Sequence, residues 1–276
     1  MPVASVEQLV GFARAHQNQL LAIRDQARAT IVLLWARIVV DPTDTTAEQW
    51  IGRSVPVVET AQRTASSLAL NYVSAYVAAA TGTARLTPEL SAADFLSPRG
   101  VSLTDVLFRP IVSLRTALAN GEQLATAITN GGARAAQIAA TDPMLSARAA
   151  SSASMQAEPR VVGFRRVPDG GACKFCVLVS TQRYHDSDLM AIHPGCGCTV
   201  APIIGSRDPG RVLDRGLVDQ LMTADPSLGR RGDSRTTARE IAAADLAKAN
   251  DLTAVHQHGE LGPTLYPADV NFAAAP

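Results

Sequence analysis

The amino-acid sequence predicts a mainly α protein with a small β element (α+β), and three observations lead there. Alanine is abundant while aromatic residues make up only 4% of the chain. That balance favours helices over sheets. Apolar residues recur at threes and fours, or their sum, through most of the first 157 positions, the period of a helix with one buried face. Only around a tight cluster of cysteines do short β-branched runs replace that period.

The first region, residues 1–82, reads as a helical hairpin. Ser5 and Gln8 form a capping-box pair, and Leu9, Ala13, Leu20, Ile23, Ala27, Ile31, Leu34 and Ile38 follow on one face, so a long amphipathic helix should end before Asp41-Pro42. Thr45 with Glu48 is a second capping-box pair. A new helix is expected there and should break at Pro56, where proline removes a backbone donor. From Val57, the series Ala61, Ala65, Leu68, Tyr72, Ala75 and Ala79 carries a helix to Gly82. Two long helices joined by a short polar turn make an antiparallel pair with a core-facing stripe.

Residues 83–157 form a second helical region. Pro88, Pro98 and Gly100 mark residues 83–101 as a linker around one short helix. A helix from about Leu103 to Leu118 should be disturbed at Pro110 and closed by Asn120-Gly121. Glu122–Thr129 and Ala133–Ala140 read as two shorter helices split by Gly131-Gly132, and Asp142-Pro143 opens another that fades through Ser151–Ala157.

Residues 158–205 change style. Val161–Val167 is β-branched and bounded by Pro159 and Pro168-Asp-Gly, so it reads as a strand entering a turn. Thr199–Ile204 reads as a second strand, confined to a sheet edge by Pro202. Residues 206–276 should hold a helix from Val212 to Met222, a second helix capped by Ser234 or Thr236 and running to Ala249, and an extended end from His256 that orders against a partner.

All four cysteines fall between the two strands, as Cys173-Lys-Phe-Cys176, sixteen residues, then His193-Pro-Gly-Cys196-Gly-Cys198. Two cysteines separated by two residues can aim both sulfurs at one point, and a histidine with cysteines three and five positions later can complete a tetrahedral set. A structural zinc ion is the expected occupant, held by four of the five candidates Cys173, Cys176, His193, Cys196 and Cys198. Both His193-x2-Cys196 and His193-x4-Cys198 are usable spacings. Four protein ligands leave no open coordination position, so such an ion would fold the segment and clamp the two strands without catalysing a reaction. Disulfides, a redox pair and a metal-free turn are the alternatives; no secretory signal is read ahead of the cluster.

The cluster also carries a resemblance. The Cys-x-x-Cys, the spacer bearing Tyr184, and His193-Pro-Gly-Cys-Gly-Cys-Thr199 resemble the signature near the C-terminal end of the phage Mu F-like (MuF) minor head protein domain. Gly197 stands where that family usually has arginine, a departure that spares the ligands. The run from His256 to Pro263 is similar to the tails of such proteins in phages of actinobacteria. The motif region covers about a tenth of the chain. The resemblance implies a virion protein made in the host cytoplasm, present in few copies at the portal vertex and capsid interior. Its partners would be the portal protein and the major capsid protein, its role head morphogenesis or the packaging and ejection of the genome.

Other function classes find less in the residues. Lys+Arg and Asp+Glu both number 25, whereas a general nucleic-acid binder should be basic. Arg160, Arg165, Arg166, Lys174 and Arg183 do gather near the cluster, where they read as a solvated face, or as a non-specific contact to packaged DNA in a zinc-clamped DNA-binding module. His185, Asp186 and Asp188 beside Cys173 or Cys176 could imitate a thiol hydrolase, the second alternative. No Walker loop, Gly-x-Ser-x-Gly elbow or His-Glu-x-x-His pair occurs. The apolar run Ala29–Val40 falls short of the roughly 20 residues a membrane span requires. No enzyme activity, no small-molecule substrate and no membrane contact are expected.

Overall fold

The computed structural model describes residues 3–39, 43–84, 90–169, 180, 183–184, 196–210, 253–258 and 262–267. Among them are four long helices, α1 (Val6–Ile38), α2 (Asp44–Thr81), α3 (Leu103–Ala119) and α4 (Leu124–Gln156). Two antiparallel two-stranded sheets follow, β1 (Val161–Val167) with β2 (Thr199–Ile204) and β3 (Thr253–His258) with β4 (Gly262–Pro267). The chain is thus mainly helical with small sheets.

The start of α1 is the expected capping box: the Ser5 amide donates to Gln8 Oε1 (2.8 Å) and the Gln8 amide to Ser5 Oγ (3.3 Å). The start of α2 differs from expectation. Thr43, not Thr45, is the cap, its hydroxyl accepting from the Thr46 amide at 3.3 Å. Neither Pro56 nor Pro110 breaks its helix. Pro56 and Gly52, four residues before it, are both exposed, so the carbonyl deprived of its donor can turn to water. The linker holds the expected short helix, a 3-10 turn at Ala92–Phe95 capped by Ser91 and Asp94.

The largest departure is α4, one continuous helix where three were expected. Gly131-Gly132 does not split it, because the two glycines are the seat of an indole. A Cβ on Gly131 would lie 2.6 Å from Trp35 Cζ2 and 3.2 Å from the Pro110 carbonyl oxygen, and one on Gly132 would lie 2.9 Å from Trp35 Cδ1. The indole Nε1 donates to the Ile128 carbonyl at 2.9 Å. Asp142-Pro143 does not start a helix either. The Asp142 carboxylate is buried within α4 and accepts from Arg99 Nε (2.8 Å) and Nη2 (2.6 Å), anchoring the end of the linker.

The chain divides into two compact units that are not sequential. One comprises Asn18–Tyr72, Pro88–Ser154 and Phe272–Pro276. Its core gathers Trp35 and Trp50, edge to face at 5.1 Å, with Ile31, Val58, Leu107, Ile111, Leu114 and the alanines of α4. A second cluster joins Leu20 to Ala65, Ala69, Met144, Ala147 and Ala150. Trp35, late in α1, meets Trp50, early in α2, and Leu20 meets Ala65 and Ala69, so the two helices run antiparallel as expected.

The other unit comprises Met1–Gln17, Val73–Thr87 and Met155–Asn271. It holds the first turns of α1, the last turns of α2 and both sheets. The Ala4 amide donates to the Ala79 carbonyl (2.8 Å), and Gly82, at φ 73, ends α2. Within the C-terminal stretch expected to be extended, β3 and β4 pair antiparallel in register Val255↔Leu265, and residues 268–276 lie outside the described residues. The helices expected at Val212–Met222 and up to Ala249 lie outside the described residues. No described helix is long and apolar enough to cross a membrane.

Gly131→Ala should lower the thermal midpoint by several degrees and shift tryptophan emission. The collision with Trp35, worth about 1–3 kcal/mol, exceeds the roughly 0.5–1 kcal/mol that alanine gains over glycine in a helix. Gly52→Ala, with open space at its Cβ position, should leave the midpoint equal or higher. A scanning-calorimetry comparison of the two variants checks the asymmetry.

Candidate metal centre

The β1–β2 ribbon brings the described half of the cysteine cluster to one end of a small sheet. Its register runs from Val161↔Ile204 to Val167↔Thr199, with an irregularity between Val161 and Gly163. Phe164 lies opposite Pro202 on β2 and exchanges both backbone hydrogen bonds with Tyr184 on its other side (2.9 and 3.0 Å). The Phe164–Pro202 pair therefore needs no donor from proline, and β2 is the edge strand its proline implied. Tyr184, from the spacer between the two halves of the cluster, thus lies against β1.

Cys196 and Cys198 enter β2 from this end. Both are buried, at 3% and 1% exposure. Cys173, Cys176 and His193 lie outside the described residues, and among the described residues no three His, Cys, Asp or Glu side chains group as an ion site would require. The surroundings of the two thiols fit a thiophilic cation. Two soft donors sit one residue apart in a water-poor place. Thr199 Oγ1, next in sequence, and Nε and Nη1 of Arg166 on the paired strand are buried without a hydrogen-bond partner among the described residues.

The sheet end is held from α1. Gln17, buried, donates its Nε2 to the Val167 carbonyl at 2.6 Å and reaches the Gly197 carbonyl at 3.5 Å. One amide thereby ties the last residue of β1 to the glycine between the two cysteines. His16 beside it is also buried, and desolvation of its charged form pushes its pKa down to about 3, so it is neutral at physiological pH. Positions 16 and 17 fall on the buried face between Ala13 and Leu20. Two polar residues at core spacing were the overlooked signal in the sequence.

Three of the basic residues near the cluster, Arg160, Arg165 and Arg166, are not the solvated face expected of them. Arg165 forms a two-pronged pair with Asp208 (Nε to Oδ1 2.8 Å, Nη2 to Oδ2 2.7 Å). Burial raises the Asp208 pKa, but the Arg165 hydrogen bonds, the Gly210 amide and the charges of Arg165 and Arg183 outweigh it and leave the pKa lowered. Arg160 is paired with buried Glu158 (2.7 and 2.9 Å) and reaches Thr83 Oγ1 (2.7 Å) and the Ala84 carbonyl (2.9 Å) past the end of α2. Arg166 is buried, its guanidinium carbon 5.1 Å from the centroid of the Tyr184 ring, on which Phe164 also stacks at 5.2 Å. Arg183 is exposed, and Lys174 lies outside the described residues. Three of the five basic residues are consumed by the fold.

The family model described as VG15 protein matches residues 11–216, a stretch that includes both halves of the cysteine cluster. No curated protein and no solved structure matches the chain.

The depressed pKa of His16 sets an acid limb of stability. Below about pH 6.5 the unfolded chain takes up a proton that the folded chain refuses until about pH 3, so stability falls as pH drops through that window. His16→Gln should flatten the loss between pH 6.5 and 4 by an amount on the order of a few kcal/mol. Urea unfolding of both proteins at pH 7, 5.5 and 4 measures the difference.

Proposed function

This chain belongs to the VG15 protein family, a phage-type viral gene protein family, and from that premise we propose that it is a structural component of a tailed-phage head rather than an enzyme. The finer reading is a MuF-like minor head protein, associated with the portal protein and the inner face of the major capsid protein. It would act in head morphogenesis or in packaging and ejecting the genome. Family membership supports the phage assignment, and the Cys/His signature supports the MuF-like one.

The observation that carries the non-catalytic half is the sealing of Cys196 and Cys198. In the proposed reading four of Cys173, Cys176, His193, Cys196 and Cys198 would hold a zinc ion, which would supply cross-linking only. The rest is done by the chain itself: Gln17 and the Arg165–Asp208 pair fix the ribbon, and the Cys196–Cys198 segment presents its thiols at the ribbon's end. A thiol enzyme needs a sulfur that substrate can reach, which the burial of these two argues against. A zinc-clamped DNA-binding module needs free cations, and Arg160, Arg165 and Arg166 are otherwise engaged. The clamped segment suits a part that must keep its shape beside tightly packed DNA.

Purified under reducing conditions, the chain should carry about one zinc per molecule, and serine or alanine replacements at four of the five candidates should abolish metal binding and loosen residues 160–204. Quantitative mass spectrometry of purified particles should find the protein in few copies per head. A fully folded metal-free wild type would sink the clamp. Absence from particles would sink the head assignment, and one hyper-reactive cysteine in the zinc-loaded protein would favour an enzyme.

A further inference from the structure

Helix α3 covers its inner face and leaves its outer face apolar. Val106, Leu107, Ile111, Leu114 and Ala117 belong to the core that also holds Trp35 and Trp50. The other side of such a helix is ordinarily polar, as it is on α2, where Glu48, Arg53, Thr60 and Arg63 are exposed. On α3 the exposed side carries Phe108 (39% exposed) and Val112 (47%), one turn apart. Val101 is exposed just ahead of the cap Ser102, and Ala119 at the far end.

The residues around that pair repeat in reverse. Counting outward from position 110, Phe108 answers Val112, Asp105 answers Arg115 and Thr104 answers Thr116. At about 100° per residue these positions span about 120° of the helix, one face. Apolar answers apolar, hydroxyl answers hydroxyl, and acid answers base. A second α3 laid antiparallel, level at position 110, would set each residue against its counterpart and make the Asp105–Arg115 contact twice. A parallel copy would set Asp105 on Asp105 and Arg115 on Arg115, and would align the two helix dipoles. Both ions keep capacity for such a partner. Asp105 Oδ2 accepts from the Ser102 hydroxyl (2.6 Å), and Arg115 Nη2 donates to Asp44 Oδ1 (2.7 Å). Those bonds steady the two side chains and leave a second carboxylate oxygen and further N–H donors. The Asp44 side chain is 89% exposed, so water shares that pair.

We infer that the outer face of α3 is a self-association surface: a second copy of this chain packs its own α3 antiparallel across it, level at position 110. The contact is isologous and closes at two copies. A pair of 17-residue helices buries less than the roughly 1,200–2,000 Å² of a standard interface. Association is therefore weak and reversible, with a Kd of about 10–100 µM. The inference is independent of the metal clamp and of the head assignment.

The full chain, kept reduced, is followed by sedimentation velocity from about 1 to 500 µM. The wild type should pass from monomer to dimer across that range. Val112→Glu sets a carboxylate against Phe108 of the second copy and should weaken association about 100-fold or more. Asp105→Arg and Arg115→Asp each bring like charges together twice, so each alone should stay monomeric. Their equimolar mixture, in which both contacts are again opposite in sign, should recover the dimer. Circular dichroism checks the fold of each variant. If Val112→Glu unfolds, the charge variants decide; if either of those unfolds, Val112→Glu decides. A wild type monomeric throughout, a Val112→Glu dimer of wild-type strength, or a mixture that stays monomeric would each overturn the inference. A monomeric wild type whose incorporation into particles is lost on Val112→Glu would assign the face to a different protein, and overturn it too.

Discussion

A two-stranded antiparallel ribbon cannot hold itself together in water, and the unit that contains β1 and β2 is built around that deficit. Two short strands bury too little to offset the entropy of ordering them. The missing stabilisation comes from side chains reaching the ribbon's ends. At one end Gln17 bridges the carbonyls of Val167 and Gly197. At the other, β2 turns at Gly205, Arg207 donates to the Ala4 carbonyl at 2.6 Å, and Asp208 returns to Arg165. Ala4 is itself bonded to Ala79. The ribbon is thus tied to the start of α1 and, through it, to the end of α2. A metal clamp at the cysteine end would close the last loose corner of the same frame.

The second unit solves a different problem, how to pack helices rich in small side chains without leaving voids. Its answer is a pair of tryptophans set edge to face, one of which lies on the bare backbone of α4. Glycine in a helix interior costs about 1 kcal/mol relative to alanine. Here the absence of two Cβ atoms allows an indole to approach closely enough to donate to a main-chain carbonyl, and lets the Pro110 carbonyl come near. The packing gain is concentrated at one point and the alanines of α4 fill the remainder. That explains how a chain so poor in aromatics still has a dense core.

Much of this was legible in the residues, and the misses share a cause. Period and capping placed α1, α3 and both strands of the ribbon within a residue or two, because those signals are local. Pro56, Gly131-Gly132 and Asp142-Pro143 were read as breaks, and each is overruled by something distant in sequence or by exposure. Gly52 and Pro56 are exposed, Trp35 occupies the glycine pair, and Arg99 claims Asp142. The arginines near the cluster misled for the same reason. Charge clustering in one dimension reads as a surface, while in three dimensions Arg160 and Arg165 find carboxylates and Arg166 finds a ring. Of the five candidate ligands, Cys196 and Cys198 are placed and buried; Cys173, Cys176 and His193 lie outside the described residues.

What the described half of the centre does show narrows the chemistry it can serve. A nucleophilic thiol has to be partly exposed and beside a base. Cys196 and Cys198 are enclosed, and His16, buried on α1 beside Gln17, is neutral at physiological pH. Thr199 and Arg166 carry further buried polar atoms without hydrogen-bond partners among the described residues. An enclosure of that kind favours a sulfur that stays bound over one that attacks.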